Sequence, residues 1–221
     1  VSTNSLAIPW NPNKLGTCAA SCTPINIPNT NTVASSSPKG GGNNNTMNGN
    51  GTINTVFTAS ACGLNYVLGE VKTGKRYFPP GVNQPAPIAI SGIPACRTIL
   101  KAYLYTGGSG NGLAFSATVV NPASTTSVFP MTAIGNHLDK CWGYAGTYNY
   151  RADITALISG NGTYNVSGIP NSISTPGNDM DGVSIVIIYS DPTQAYTGHI
   201  VIGDGCQVNA STTGTLANTL T

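Results

Sequence analysis

From about residue 51 onward, the chain repeats short segments of alternating apolar and polar residues, separated by Gly, Pro and Asn. A period of two is typical of β-strands with one buried face, and Gly, Pro and Asn favour the turns between them. Residues 183–189 are continuously apolar and β-branched, which indicates a strand buried on both faces. The predicted strands are 51–59, 64–71, 87–91, 96–105, 114–120, 141–150, 162–168, 183–189, 199–202, 206–210 and 215–220.

The intervening residues predict tight turns and a single helix. The glycine-rich stretch 107–112 and the dipeptide Asp204-Gly205 are typical of turns between neighbouring strands. Residues 152–159 have the one helix-like pattern, with Asp153 as N-cap and Gly160 at its end. Many short strands and one short helix predict an all-β fold, a jelly-roll-like β-sandwich, with a closed barrel as the alternative.

The first 50 residues differ from the rest in composition. They are rich in Pro, Asn, Ser and Gly, and residues 35–45 have the composition of a flexible linker. Two strand-like pieces, 5–8 and 24–27, carry apolar residues two positions apart, which are Leu6, Ile8, Ile25 and Ile27. The sequence therefore predicts an extended N-terminal arm and linker over residues 1–50 and a β-sandwich domain over residues 51–221.

Charged side chains are scarce. Only 7% of residues are Asp, Glu, Lys or Arg, against about 25% in ordinary soluble domains. The net charge of +2 leaves little repulsion between copies. No basic stripe of the kind that nucleic acids require is present, so nucleic acid is not an expected partner. No apolar run approaches the length of a membrane-spanning helix, about 18 residues or more.

Six cysteines, an even number, indicate an oxidising compartment. A zinc site is the alternative, but only one closely spaced pair is present, and His137 and His199 are far apart in sequence. We expect three disulfides and no free thiol. The expected pairs are Cys18 with Cys22, Cys62 with Cys96, and Cys141 with Cys206.

Further features favour secretion. Val1 is not an initiator residue, and we interpret it as a mature N-terminus left after removal of a signal peptide. Asn-X-Ser/Thr triplets, which are acceptors for N-glycosylation, also arise by chance in a chain rich in Asn, Ser and Thr, so their use stays open. They occur at Asn44, Asn50, Asn161, Asn165 and Asn209. The predicted location is extracellular or at the cell surface.

The sequence presents no convergent catalytic set. No Gly-X-Ser-X-Gly elbow, phosphate loop or dinucleotide fingerprint is present, and nothing in the sequence links His137 or His199 to a serine. The acidic residues fall at predicted turns or at the helix cap. They are Glu70, Asp139, Asp153, Asp179, Asp181, Asp191 and Asp204. We therefore predict no catalytic residues, no cofactor and no enzymatic activity.

One predicted loop has the side chains of a calcium site. Asn178, Asp179 and Asp181 lie between glycines in residues 176–182, and Ca²⁺ prefers such oxygen ligands. The spacing matches no EF-hand, and Asn and Asp also build turns without a metal. No metal is expected elsewhere in the chain.

A cluster of aromatic residues in 141–150 allows two interpretations. Trp142, Tyr144, Tyr148 and Tyr150 alternate along the sequence. They would either form an exposed platform for sugar rings or pack across strands in the core. Core packing is the interpretation we favour.

Residues 94–105, Pro-Ala-Cys-Arg-Thr-Ile-Leu-Lys-Ala-Tyr-Leu-Tyr, resemble a strand motif of a family of secreted β-sandwich domains in bacterial and archaeal surface proteins. Residues 150–164, 181–192 and 200–205 resemble later motifs of that family, in the same order, so that the resemblance covers roughly residues 62–206. Thr106 stands where the family usually has Trp. The resemblance implies a β-sandwich with a surface or extracellular role, and it implies no catalytic residues.

Three functions are compatible with these features. The one we favour is a subunit of an extracellular filament or surface assembly, in which a strand of one copy completes a sheet edge of the next. Its partners are other copies of the chain, and its donor is the arm or, alternatively, residues 215–220. A monomeric adhesin or carbohydrate-binding module would use the 142–150 aromatics to bind surface glycans. A secreted hydrolase would need two acids, or Ser and His, in one cleft.

Overall fold

The computed structural model describes residues 52–75, 79–138, 143–171 and 177–206, and these residues are all-β. The predicted arm, and the strands predicted at 206–210 beyond Cys206 and at 215–220, lie outside the described residues. The strands are β1 Thr52–Cys62, β2 Asn65–Lys72, β3 Ala86–Ile90, β4 Thr98–Gly110, β5 Phe115–Val120, β6 Thr126–His137, β7 Gly146–Asp153, β8 Gly162–Ser167, β9 Asn178–Ser190 and β10 Thr197–Cys206. No helix in this part of the chain is long and apolar enough to cross a membrane.

Eight strands form one antiparallel sheet in the order β2-β9-β4-β7-β6-β5-β8-β3. The end strands β2 and β3 approach closely, because a Cβ atom on Gly69 would lie 2.7 Å from the Ile88 side chain and 2.8 Å from the backbone oxygen of Ala89. The sheet is therefore nearly closed and barrel-like. The all-β prediction is confirmed, whereas the jelly-roll sandwich is not established by this topology.

The core lies inside the nearly closed sheet. In β3, β7 and β8, every second residue is buried, which places one face of each strand inside. Ile187 and Ile188 of β9 point to opposite faces, and both are fully buried. The prediction of a strand with two buried faces is confirmed at this end of β9. Burial of each such side chain stabilises the fold by about 1.5–3 kcal/mol.

The remaining strands, β1 and β10, form an antiparallel ribbon that crosses the outer face of the large sheet. The hydroxyl of Tyr103 on β4 donates a hydrogen bond to the backbone oxygen of Val56. The side-chain amide of Asn149 on β7 donates to the backbone oxygen of Gly205 at 2.7 Å. The ribbon covers only part of this outer face, and the uncovered part contains a groove.

Two predicted turns are wrong because strands run through them. Gly107 and Gly108 lie within β4, which pairs with β7 and β9 as far as Gly110. A Cβ atom on Gly108 would collide with the backbone oxygen of Asp179, so this glycine permits close strand pairing instead of a turn. Asp204 and its neighbour Gly205 lie within β10.

The predicted helix at 152–159 is also wrong. Ala152 and Asp153 end β7, and only Thr155–Leu157 form a single 3₁₀ turn. The backbone N–H of Thr155 donates to the Asp153 carboxylate at 3.0 Å, and its hydroxyl accepts from the backbone N–H of Ala102 at 2.9 Å. These bonds attach the turn to β4, and Ala152 follows the alternating burial of the strand.

Candidate functional site

A groove with a volume of about 670 Å³ opens on the outer face of the large sheet, between β2 and the ribbon. We call this groove the trench. Strand register places Lys72, Gly182, Gly107 and Asn149 side by side across β2, β9, β4 and β7. The two central positions have no side chains, so the floor is backbone at Gly182, while the Asn149 side chain lies over Gly107.

A second row of outer-face residues runs along the floor. Register places Glu70, Ser184, Tyr105 and Arg151 side by side on the same four strands. Asp204 of the ribbon lies over the end of this row. Its carboxylate accepts a hydrogen bond from the Tyr105 hydroxyl at 3.3 Å and forms an ion pair with Arg151. The Asp204 carboxylate is thereby fixed at the wall of the trench.

Burial dominates the electrostatics of this wall. It raises the pKa of the Asp204 carboxyl, while Arg151 and the Tyr105 hydroxyl act in the opposite direction. Burial also raises the pKa of Tyr105, and the neighbouring Asp204 charge adds to that effect. The Arg151 guanidinium lies 4.9 Å from the centre of the Tyr103 ring, a favourable cation–π distance. The cluster therefore joins the ribbon to the sheet by charge and packing together.

Three carboxylates line the trench, from Glu70 on β2, Asp181 on β9 and Asp204 on β10. The prediction that Asp181 and Asp204 lie at turns is wrong, because both lie within strands, as Glu70 does in the strand predicted at 64–71. Only pairing across the sheet brings them together, since no local sequence signal links positions so far apart. They face one groove, which is where a ligand or substrate would meet them.

The predicted calcium loop is not a loop. Asn178, Asp179 and Asp181 belong to β9. The side-chain amide of Asn178 makes two hydrogen bonds with the backbone of Leu113. It accepts from the Leu113 N–H at 3.3 Å and donates to the Leu113 oxygen at 2.5 Å. Asp179 is fully buried. Among the described residues, no group of three His, Cys, Asp or Glu side chains is arranged to hold a metal ion. The predicted loop is therefore wrong, and calcium binding by these three side chains stays a prediction.

The aromatic residues of β7 pack in the core. Tyr148 and Tyr150 are buried, with ring centres 6.3 Å apart, and Phe115 packs edge-on against Tyr150 at 4.8 Å. Burial raises the pKa of Tyr150 to about 12. The core interpretation is confirmed for these two tyrosines, which are too buried to form a sugar platform. Tyr144 is half-buried, and Trp142 lies outside the described residues.

The cysteines differ from the prediction at one position. Cys62 and Cys96 are both disulfide-bonded. Cys206 is a free, buried cysteine whose sulfur lies 3.9 Å from the backbone oxygen of Thr147. The expected bridge between Cys141 and Cys206 is therefore not formed, and the expectation of no free thiol is wrong. Cys18, Cys22 and Cys141 lie outside the described residues, so the Cys62–Cys96 pairing stays a prediction.

Two of the glycosylation triplets lie in the described residues. The side-chain amide of Asn161 donates to the backbone oxygen of Ile93 at 2.7 Å and accepts from its N–H at 2.9 Å, which engages it in the fold. Asn165 is half-buried on β8. Asn44, Asn50 and Asn209 lie outside the described part of the chain, and use of any triplet stays a prediction.

The sequence did not predict the contact between a serine and a histidine that the structure contains. Ser60 and His199 face each other across the ribbon, with the hydroxyl oxygen and Nδ1 at 2.8 Å. The contact lies on the solvent side of the ribbon, away from the trench, and is an ordinary cross-strand pair. His137, at the end of β6, has its Nδ1 3.0 Å from the backbone oxygen of Leu138.

The outer edge of β2 is a second candidate site. In the described residues, β2 has a strand partner on one side only, β9. The N–H of Thr73 donates to the oxygen of Asp181 at 3.1 Å, which continues the β2–β9 ladder at an odd-numbered position. Because backbone groups alternate in direction along an antiparallel strand, those of Tyr66, Leu68 and Glu70 point away from β9.

Both ends of this edge are closed. The Asn65 side chain accepts the N–H of Tyr66 at 2.8 Å, and the N–H of Val82 donates to the oxygen of Lys72 at 2.9 Å. The backbone groups of Leu68 and Glu70 lie between these ends, and we call this stretch the edge window. Tyr66 and Leu68 are exposed by 59% and 54%, which is unusual for large apolar side chains beside a sheet edge.

Comparisons of the chain with family models, with curated proteins and with solved structures found no match. The resemblance to secreted β-sandwich domains therefore stays a prediction. The described residues define an all-β protein with a nearly closed sheet, a covering ribbon, a trench lined by both carboxylates and aliphatic side chains, and an exposed edge window.

Proposed function

We propose that this protein is a structural subunit of an extracellular filament or surface assembly, in which a strand of a neighbouring copy adds to the edge of β2. The edge window carries the proposal. Natural sheets protect their edges with bulges, proline or inward-pointing charges, yet β2 pairs with β9 without a bulge from Asn65 to Lys72. β3, at the other end of the sheet, contains Pro87, which has no N–H to offer.

Strand addition suits the side chains at this edge. An added strand hydrogen-bonds through its backbone and gains specificity from alternate side chains. Apolar residues two positions apart would lie beside Tyr66 and Leu68, a spacing that Leu6 and Ile8 share. Ile25 and Ile27 have the same spacing. Addition from one copy to the next is a head-to-tail contact, which generates open filaments when it does not close.

Two further features support the proposal. Charge is scarce, so copies can approach with little repulsion. The disulfide bonds at Cys62 and Cys96 suit an extracellular location. The proposal includes a β-sandwich, and the change of partner along β6, whose first half pairs with β5 and whose second half pairs with β7, supports it. No catalytic activity is part of this function.

The test is electron microscopy of the purified full-length chain and of edge variants. We expect filaments from the unmodified chain and none from Leu68→Pro. The N–H of Leu68 points away from β9, so proline there removes no ladder bond to β9 but blocks an added strand. Leu68→Lys should also prevent assembly by placing a charge at the edge.

Val128→Lys is the matched control, because Val128 is an equally apolar strand residue with 64% exposure. It should assemble normally. Thermal unfolding of each variant establishes that the fold is intact. Dispersed monomers from the unmodified chain, or normal filaments from both Leu68 variants, would contradict the proposal.

A further inference from the structure

The trench has the shape of a site for a flat, extended ligand. From Lys72 to Asn149 it spans three strand spacings, about 14 Å, and its two rows lie about 7 Å apart. Gly182 leaves backbone as the floor at one position, and the Asn149 side chain covers Gly107 beside it. A flat ring of a ligand bound on this floor would contact backbone with one face and polar side chains with its edge.

The charges in the trench restrict the class of ligand. Asp204 is compensated by Arg151, and the remaining carboxylates of Glu70 and Asp181 outnumber Lys72 there, which disfavours phosphate and other anions. Ile53 and Ile134 give the lining some apolar surface, but a lipid chain alone is disfavoured because its burial satisfies no carboxylate. A ligand that carries hydroxyl groups fits these charges. Its hydroxyl groups can donate to the carboxylates and accept from the amide of Asn149 or from the Lys72 ammonium.

The walls are held in place before any ligand binds. Tyr105 and Arg151 fix Asp204, Gly205 fixes the amide of Asn149 at 2.7 Å, and the Lys72 ammonium donates to the backbone oxygen of Pro79 at 2.7 Å. Such preorganisation lowers the entropic cost of binding.

We infer that the trench binds a short oligosaccharide of neutral or amino sugars, with the Glu70 carboxylate as an acceptor for sugar hydroxyls. Glu70 and Ser184 contribute side chains to this site, whereas the edge window uses the backbone of β2. The inference therefore stands whether or not copies of the chain assemble.

The test is a titration of the full-length protein with cellohexaose and with chitohexaose, followed by calorimetry and by amide chemical shifts. We expect binding of at least one sugar, with the largest shifts at Gly107, Gly182 and Ser184. Hexalysine is the comparison probe, because a merely acidic surface would bind it. Hexalysine binding at the trench as strong as that of the sugars would overturn the inference.

Two variants locate the site. Ser184→Phe fills the trench and should abolish binding, while Ser116→Phe, on an exposed position of β5, should leave it unchanged. Glu70→Gln keeps the shape and removes the charge, and it should weaken binding about tenfold or more. Binding that is absent for both sugars, or unaffected by both trench variants, would overturn the inference. Cleaved sugars after the titration would overturn a role limited to binding, because glycosidases also place two carboxylates across a groove.

Discussion

Cys206 shows that an even number of cysteines does not establish that every cysteine forms a disulfide. It ends β10 with its thiol buried, and its backbone packs so closely on β6 that a Cβ atom on Gly135 would lie 2.5 Å from the Cys206 nitrogen. Burial raises the pKa of this thiol to about 11. Because the thiolate is the reactive form, the native protein should protect Cys206 from alkylation.

We expect iodoacetamide at pH 8 to leave Cys206 unmodified in the native protein and to modify it in guanidinium without reductant. Peptide mass mapping measures both states. The raised pKa also has a consequence for stability. Burial of the neutral thiol contributes to the free energy of unfolding. This contribution is fully present below the ordinary thiol pKa of 9.0 and is lost as pH rises towards about 11. Rapid labelling of the native protein, or a bridge from Cys141 to Cys206, would contradict this assignment.

At the scale of the strands, side-chain packing between β2 and β3 brings the two ends of the sheet close together without hydrogen-bonded pairing between them. Gly69 makes this contact, because any side chain there would meet Ile88, Ile90 and the backbone of Ala89. The backbone of β3 cannot shift without disturbing its ladder to β8. Because Gly69 has no side chain, the two end strands β2 and β3 can approach each other closely.

We expect Gly69→Val to lower the free energy of unfolding by about 1–3 kcal/mol through overpacking, as measured by urea denaturation. Leu68→Val is the control, because it changes an exposed neighbour on the same strand and should stay within about 0.5 kcal/mol of the unmodified chain. Equal stability of the two variants would show that β2 and β3 do not approach as described.

At the scale of the whole molecule, both terminal segments leave the same end of the ribbon. Thr52 and Cys206 form the first register pair of β1 and β10, so residues before 52 and after 206 start side by side. Either segment therefore begins at the same end of the ribbon.

We expect the arm to be the donor. The double variant Leu6→Asp with Ile8→Asp, or the corresponding pair at Ile25 and Ile27, should abolish filaments in electron micrographs, because a buried carboxylate cannot occupy an apolar slot. These substitutions leave every cysteine in place. Filaments that persist in both double variants, but disappear when residues 215–221 are deleted, would identify the C-terminal segment as the donor instead.

The sequence by itself determined the fold class and most strands, because alternating polarity with Gly and Pro between segments is local information. β2, β3, β5 and β8 lie close to their predicted positions. It missed β6, where Pro130 interrupts the strand pattern and the apolar Val128 lies on the exposed face. It also ended β4 and β10 too early, because Gly107 and Gly205 resemble turn residues until partner strands are known.

Only the tertiary structure decided which residues share a site. Glu70, Asp181 and Asp204 line one trench because β2, which is far from β9 and β10 in sequence, is brought to the same face as those two strands, and no local pattern encodes that juxtaposition. The edge window likewise depends on β2 lying at the end of the sheet order. Local polarity specifies that a segment is a strand, whereas the choice of its neighbours depends on packing of the whole chain, which no short segment contains.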